Sequence, residues 1–494
     1  MSALARPIRF LLNNRVVEVD DILPTVSILN FLRQRLGRVG TKEGCAEGDC
    51  GACTVVIGEL RHGQLELNPD NSCIQFLPTL DGKALFTVED LRQQDGRLHP
   101  VQQAMVECHG SQCGFCTPGF VMSLWGLYVN RVKNEGNGQL SDAAVRQAIT
   151  GNLCRCTGYR PIIEAGKRML ELPNFQFDRE AVAQSLASLK SEGSPASFHY
   201  EFQGQRFFAP QTVAELTALR AEHPSSTILA GGTDVGLWVN KQFRELGDIL
   251  YTGEVAELHA ISDDPIHITI GAAVSLNDAY AALKNTYPEM NEMWERFAST
   301  PVRNAGTLGG NIANGSPISD AMPALIALGA EVTLCNINNT RRLLLEDLYI
   351  AYQKTAIQPD EILVFVHIPK PTPMLRFRNY KLSKRFDSDI SAVCAAFAIV
   401  LDGKRVVSCR IAYGGMAATP KRAARVETML IGRDWDETAA RSAMDALSQD
   451  YTPLSDMRAS AAYRLKAARN LLYRFFLETR PVTPLTAIEL SVFT

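Results

Sequence analysis

Three cysteines fall within nine residues in Cys45-Ala46-Glu47-Gly48-Asp49-Cys50-Gly51-Ala52-Cys53, and a fourth follows at Cys73. Thiols crowded this closely make a poor hydrophobic core. They make a good loop around an ion, because Gly44, Gly48 and Gly51 let the backbone take cramped or left-handed conformations at low steric cost. A second quartet, Cys113, Cys116, Cys154 and Cys156, has different spacing. The remaining Cys108, Cys335, Cys394 and Cys409 are isolated and read as structural. Any fold for this chain has to bring each quartet to one place.

Spacing separates the candidate ions. The first quartet, C-x4-C-x2-C with a distant fourth cysteine, has the arrangement of a plant-type [2Fe-2S] site. Zinc accepts C-x2-C pairs as well, but zinc ribbons pair two short knuckles and neither quartet does so cleanly. The second, C-x2-C then C-x-C, by itself stays open between an iron–sulfur cluster, zinc and a redox pair.

A chain of 494 residues exceeds what one core supports, so about two to four domains are expected. Its net charge of -3 provides no electrostatic footprint for nucleic acid and no polybasic patch for a membrane. No apolar run approaches the roughly 18 residues of a membrane span; the best, Ala392 to Leu401, ends at Asp402. The N-terminus, Met1 to Pro7, lacks the charged and apolar regions of a signal peptide, so a cytoplasmic location is expected. There thiols stay reduced and available as ligands.

Asn13-Asn14 within residues 8 to 20 predicts a hairpin. Val26, Leu29, Leu32 and Leu36 have helical spacing, and Thr54 to Ile57 and Ala84 to Val88 read as further strands. Sheet plus one helix beside a cysteine loop is the layout of a β-grasp ferredoxin. Beyond residue 90 the pattern turns helical. Pro118 opens one helix, with Val121, Leu124, Trp125 and Tyr128 on one face; Ser141-Asp142 cap a second running through Gln147; Pro161 opens a third carrying Ile162, Ile163 and Leu170. Each cysteine pair of the second quartet precedes a helix start, where free N–H groups favour anionic sulfur. Residues 173–197, with Pro173, Gly193 and Pro195, read as a linker. Strands at Ser391 to Val400 and Val406 to Tyr413, then helix from Ser455 through Glu478, close the chain.

Two further stretches are rich in small residues: Leu229-Ala230-Gly231-Gly232-Thr233-Asp234, and Arg303 through Asp320 with Gly306, Gly309, Gly310 and Gly315. Successive small residues can expose backbone N–H groups as a nest for a pyrophosphate, with Thr233, Thr307 and Asn314 adding side-chain donors. Neither contains G-x-G-x-x-G, which disfavours a Rossmann dinucleotide site.

The stretches Gly44 through Cys53 with Cys73, Gln112-Cys113-Gly114-Phe115-Cys116-Thr117-Pro118-Gly119 and Gly151-Asn152-Leu153-Cys154-Arg155-Cys156-Thr157-Gly158-Tyr159 resemble the iron–sulfur region of the molybdenum hydroxylases, a family including xanthine dehydrogenases and aldehyde oxidases. The resemblance implies that both quartets hold [2Fe-2S] clusters, with Gln112 and Cys154 on the side of the second cluster that faces a molybdopterin. The glycine-rich stretches resemble the FAD domain of the same family. That resemblance implies FAD contacts from Leu229, Ala230, Gly231, Gly232, Thr233, Asp234, Thr307, Gly310, Asn311, Asn314 and Asp320. It also places Phe297 near the isoalloxazine ring and has Lys381 reaching the flavin from the following domain. The loop Lys384 to Asp389 would lie near the flavin face used by the electron acceptor.

The expected architecture is a multidomain α+β chain. A β-grasp [2Fe-2S] ferredoxin-like domain (1–90) precedes a helical [2Fe-2S] domain (91–172), the linker, a non-Rossmann α/β FAD-binding domain (198–373) and an α+β C-terminal domain (376–482). No catalytic residue is assigned. With no stretch after the flavin part to match the family's large domain, the resemblance implies a separate molybdopterin-binding large subunit, in a heterotetramer of two small and two large subunits. It further implies NAD+ as acceptor and xanthine oxidation to urate as the overall reaction. Fusion of the FAD part behind the cluster domains favours the xanthine dehydrogenase type over aldehyde or heteroaromatic hydroxylases. A zinc-binding, non-enzymatic protein is the reading from a different class.

Overall fold

The computed structural model describes residues 5–93, 95–135, 140–192 and 197–486. Residues 1–4, Thr494 and, in the expected linker, Gly193 and Pro195 lie outside them. Backbone contacts divide the chain into two units, Met1–Ala256 with Ser275–Asn277 and Ala298–Thr307, and Glu257–Val274 with Asp278–Phe297 and Leu308–Thr494.

In the first unit, Asn13 and Asn14 both adopt positive φ (50° and 57°), as a two-residue hairpin of this twist demands. They join Ile8–Leu12 to Arg15–Val19 in antiparallel register. The five-stranded sheet runs Arg15–Val19, Ile8–Leu12, Ala84–Phe86, Thr54–Arg61, Gln64–Asn71, with Ile8–Leu12 parallel to Ala84–Phe86. This is the β-grasp arrangement. The expected helix beside it takes a different form: one α-turn, Ile28–Asn30, capped by Ser27, continues as a π-helix over Phe31–Arg35. Leu29 and Leu32 are buried, but the wider π-turn rotates Leu36 off the core face and leaves it 39% exposed.

Five helices follow: Pro100–Glu107, Thr117–Glu135, Asp142–Ala148, Arg160–Arg168 and Arg179–Glu192. Val121, Leu124, Trp125 and Tyr128 are all buried on the second, and Ser141 caps the third by accepting from the Ala144 N–H. Trp125 packs against Phe86 and Phe177, with ring centroids 5.3 and 5.5 Å apart, and so ties helices to sheet. Within residues 173–197, read above as a linker, the structure forms the helix Arg179–Glu192. Val182, Leu186 and Leu189 recur at helical spacing and are buried in the same core. A small mixed sheet, Phe198–Phe202, Gln205–Ala209, Ile249–Tyr251, Thr227–Leu229, shares one core with the β-grasp sheet through Phe10, Leu85, Phe207 and Ile249.

The second unit contains an antiparallel sheet ordered Ile261–Asp263, His267–Gly271, Ile362–Pro369, Glu331–Cys335, Thr340–Leu344, and the fully buried helix Ala321–Leu328. A second antiparallel sheet, Leu375–Leu382, Val393–Asp402, Arg405–Gly414, Lys421–Arg422, follows. Val393–Asp402 is buried along nearly its whole length because helices pack on both its faces, Ala321–Leu328 on one and Ala461–Thr479 on the other. Its run of alanines keeps those layers close. The closing helix starts at Ala461, capped by Ser460, rather than at Ser455. Phe475 on this helix stacks on Phe397, centroids 4.9 Å apart. Among the described residues no helix is long and apolar enough to cross a membrane.

His99 caps Pro100–Glu107: its Nδ1 accepts the Val101 N–H at 3.2 Å, and the ring lies edge-on to Tyr128 and Phe175. Burial pushes its pKa down from 6.5 to about 4. The folded state therefore binds fewer protons than the unfolded chain between these values, and stability is lost as pH falls from 6.5 toward 4, by about 3 kcal/mol in all. Urea titrations across this range should show the decline for the native protein and flatten it in His99→Asn, which retains a capping oxygen.

Candidate functional site

The first cysteine loop turns its peptides inward. Ala46, Gly48 and Gly51 take φ of 55°, 78° and 67°, and the N–H groups of Glu47 and Cys50 point at Cys45 Sγ, 3.4 and 3.3 Å away. The four thiols meet in sequence, Cys50 to Cys45, Cys45 to Cys73 and Cys73 to Cys53. Cys53 and Cys73 are buried, Cys45 and Cys50 half-buried. Hydrogen bonds from Cys50 and Cys73, then from the backbone, hold the Cys45 thiol far below its ordinary pKa. As donors to it, and by burial, Cys50 and Cys73 are displaced upward.

The second quartet meets in pairs, Cys116 with Cys154 and Cys113 with Cys156. Cys116 precedes the helix Thr117–Glu135, and Cys154 and Cys156 precede Arg160–Arg168. Burial and then Cys154 push Cys116 up to about 12. At Cys154 burial acts upward but is outweighed by the Thr157 hydroxyl and N–H, 3.3 and 3.4 Å from the sulfur, so the pKa falls. Cys113, Cys156 and Gln112 are exposed, whereas Cys154 is buried. Among the described residues no three of Cys, His, Asp or Glu are grouped as ligands of a single ion. The meeting of four thiols in each quartet suits a [2Fe-2S] cluster, and inward N–H groups suit its anionic sulfurs.

The two loops touch. Leu153 N–H donates to the Cys50 carbonyl at 3.0 Å, and Asn152 Nδ2 donates to the Gly51 carbonyl at 3.0 Å. Ser123, on the helix that follows Cys116, donates to Asn152 Oδ1 at 2.7 Å and orients the amide. The approach leaves no room for side chains: a Cβ on Gly119 would lie 2.1 Å from the Gly51 oxygen, and one on Gly51 2.0 Å from the Gly151 oxygen. Asn152 belonged to a recognised motif, but nothing local in the sequence tells that its side chain bridges the loops.

The segment that follows Cys73 meets the glycine-rich stretch at Leu229–Asp234. Gln75 Nε2, two residues beyond Cys73, donates to the Gly231 carbonyl at 2.8 Å. Gly231 in turn lies against Ala305 and Gly306, where its Cβ would come within 1.9 Å of the Ala305 oxygen. The fold thus joins Leu229–Asp234 to the segment ending at Thr307, which is buried and bridged to Ser275. Of these six residues Leu229 and Gly232 are buried and Asp234 is exposed.

In the second unit, Leu308–Ala313 is a short helix, Asn314 N–H bonds back to the Gly310 carbonyl, and Asn311 Oδ1 accepts from Ser319 at 2.8 Å. Asp320 and Lys381 are both buried and bound to each other: Lys381 Nζ donates to Asp320 Oδ2 (2.5 Å), the Asp389 carbonyl (2.7 Å) and Ser391 Oγ (2.9 Å). Ser391 completes the set by donating to Asp320 Oδ1 at 2.5 Å; no local signal marks it in the sequence. Phe297 is half-buried, edge-on to Tyr280 at 6.3 Å.

Four domain families match the sequence: a 2Fe-2S iron-sulfur cluster binding domain at residues 12–76, a [2Fe-2S] binding domain at 87–167, the FAD binding domain in molybdopterin dehydrogenase at 200–371 and the CO dehydrogenase flavoprotein C-terminal domain at 378–479. The xanthine dehydrogenase/oxidase of Gallus gallus is 30% identical over 95% of this chain, which spans 40% of that protein. Carbon monoxide dehydrogenase from Hydrogenophaga pseudoflava is similar over 54% of this chain and 94% of the matched chain, at a TM-score of 0.52 and 26% identity. Quinoline 2-oxidoreductase from Pseudomonas putida 86 matches 56% of this chain and 96% of its own, at 0.51 and 25%.

Gly119→Ala drives a methyl into the Gly51 carbonyl and should cost about 1–3 kcal/mol as helix and loop part. A urea midpoint equal to that of the native protein would show that the loops do not meet as described.

Proposed function

Because this chain belongs to the molybdenum hydroxylases through its iron–sulfur and flavin domains, we propose that it is the electron-transfer component of a xanthine dehydrogenase-type enzyme. In this reading Cys113, Cys116, Cys154 and Cys156 hold one [2Fe-2S] cluster, Cys45, Cys50, Cys53 and Cys73 the other. FAD is held by Leu229–Asp234, Thr307, Gly310, Asn311, Asn314 and Asp320, with Phe297 and Lys381 on its flavin side. When bound, these groups supply one-electron storage at iron and conversion to the two-electron chemistry of a nicotinamide.

The observation that carries the reading is the double contact of the segments that bear the first quartet. One side receives Leu153 N–H and Asn152 from the other cysteine loop; the other side reaches Gly231 through Gln75. This favours an order in which the second quartet stands nearest the substrate, the first quartet in the middle and the glycine-rich stretches nearest the acceptor. The chain's own residues set the environment: N–H groups of Glu47, Cys50 and Thr157 stabilise anionic sulfur, and the Asp320–Lys381–Ser391 set holds a charge pair fixed.

The chain spans about two fifths of the curated relatives it matches. The reading assigns substrate oxidation to a separate molybdopterin-binding subunit, in a heterotetramer of two small and two large subunits, with NAD+ as acceptor; its support is that the similar chains of carbon monoxide dehydrogenase and quinoline 2-oxidoreductase are matched over 94% and 96% of their length. A second reading, the same role in a hydroxylase of another substrate, draws on the likeness to carbon monoxide dehydrogenase and quinoline 2-oxidoreductase. Assaying the complex with xanthine, an aldehyde and a quinoline separates the two.

The dithionite-reduced protein should show two distinct [2Fe-2S] paramagnetic signals and yield stoichiometric FAD; a colourless, zinc-loaded preparation refutes the reading. In the complex, Cys50→Ala or Cys53→Ala should stop substrate-to-NAD+ turnover while NADH-to-dye reduction persists. Loss of that dye activity from a folded, FAD-loaded variant would show the order of sites to be wrong.

A further inference from the structure

The short helix Val235–Asn240 continues directly from the glycine-rich stretch, and its last residue makes a contact that the proposed electron route does not use. Asn240 Nδ2 donates to the Cys73 carbonyl at 2.7 Å and to the Ala46 carbonyl at 3.2 Å, which uses both hydrogens of the amide. These carbonyls belong to the two separate segments that bring the first quartet together: Ala46 follows Cys45, and Cys73 comes from the far end of the strand Gln64–Asn71. Ala46 sits in the left-handed region, which costs an L-residue about 1 kcal/mol or more and persists only where neighbours hold it. At the second residue of the same helix, Gly236 presses on Ile74, and a Cβ there would lie 2.5 Å from the Ile74 oxygen. Lys241 adds an exposed pair with Glu47 at 3.8 Å, of little worth by itself. One helix thus braces both halves of the cysteine loop.

We propose that Asn240 is a positioning residue for the metal centre of the first quartet, fixing its two backbone segments against the glycine-rich stretch and setting the potential at which that centre exchanges electrons. The inference rests on the cofactor reading above. Amide hydrogens on the two carbonyls offset their negative ends; without them, uncompensated carbonyl dipoles beside an anionic cluster disfavour the added electron, and outer-shell partners of this kind tune metal sites.

In the cofactor-loaded protein, Asn240→Leu keeps the bulk and removes both donors. Asn130→Leu, which removes the 2.8 Å bond from Asn130 Nδ2 to the Leu67 carbonyl, controls for a general loss of stability. Redox titration followed by paramagnetic resonance reads the result. At the poise that half-reduces the native first cluster, Asn240→Leu should lower its reduced-to-oxidised ratio about tenfold and leave the second cluster unmoved, and Asn130→Leu should move neither. Loss of the first cluster alone, with the second cluster and FAD retained, also supports the assignment. Unmoved signals, equal displacement of both clusters, or loss of both overturn it. Should Asn240→Leu fail to fold, Asn240→Ser, with its shorter donor, is read by the same criteria. A native protein lacking two [2Fe-2S] signals would refute the cofactor reading instead, so the two failures are distinct.

Discussion

The carbonyl oxygen of Gly51 receives the Thr54 N–H at 3.1 Å, the Thr54 hydroxyl at 2.7 Å and the Asn152 amide at 3.0 Å. The placing of both cysteine quartets depends on this one acceptor. Two of its donors shape the loop that carries Cys45, Cys50 and Cys53; the third belongs to the loop that carries Cys154 and Cys156. Glycine is required on two sides, at Gly51 and Gly119, because the loops meet backbone to backbone. Ligand geometry here is set by exclusion of side chains as much as by attraction.

The second unit solves a different problem, a charge pair out of water. Lys381 and Asp320 side chains are 1% and 3% exposed, and removing such ions from water costs several kcal/mol unless every remaining donor and acceptor is satisfied. Ser391 meets that condition by accepting from the ammonium and donating to the second carboxylate oxygen. The pair therefore stands as a fixed dipole, held by the strand carrying Lys381 and the segment leading into the helix Ala321–Leu328.

What the sequence revealed was local. Asn13-Asn14 states its own turn, Ser141 its own cap, and the cysteine spacings carry their geometry within a few residues. The helix Arg179–Glu192 was hidden because Val182, Leu186 and Leu189 stand among polar residues and between prolines, so its buried stripe is only three residues wide. The π-turn after Asn30 was hidden because nothing in Phe31–Arg35 distinguishes it from an α-turn, and Leu36 was misplaced as a result. Gln75, Asn152, Asn240 and Ser391 act on partners far away in the chain, which no spacing rule reaches.

The bond from Leu153 N–H to the Cys50 carbonyl has a consequence for how the protein matures. In the proposed reading the two quartets are ligand sets joined by backbone bonds, and sets so joined would not fill as independent events. Order gained by one loop when its ions arrive is order the other need not acquire, and by thermodynamic reciprocity the help runs equally in both directions. In the proposed cofactor reading, delivery of iron to this chain would on that account be cooperative, biased toward fully loaded and empty molecules over half-loaded ones.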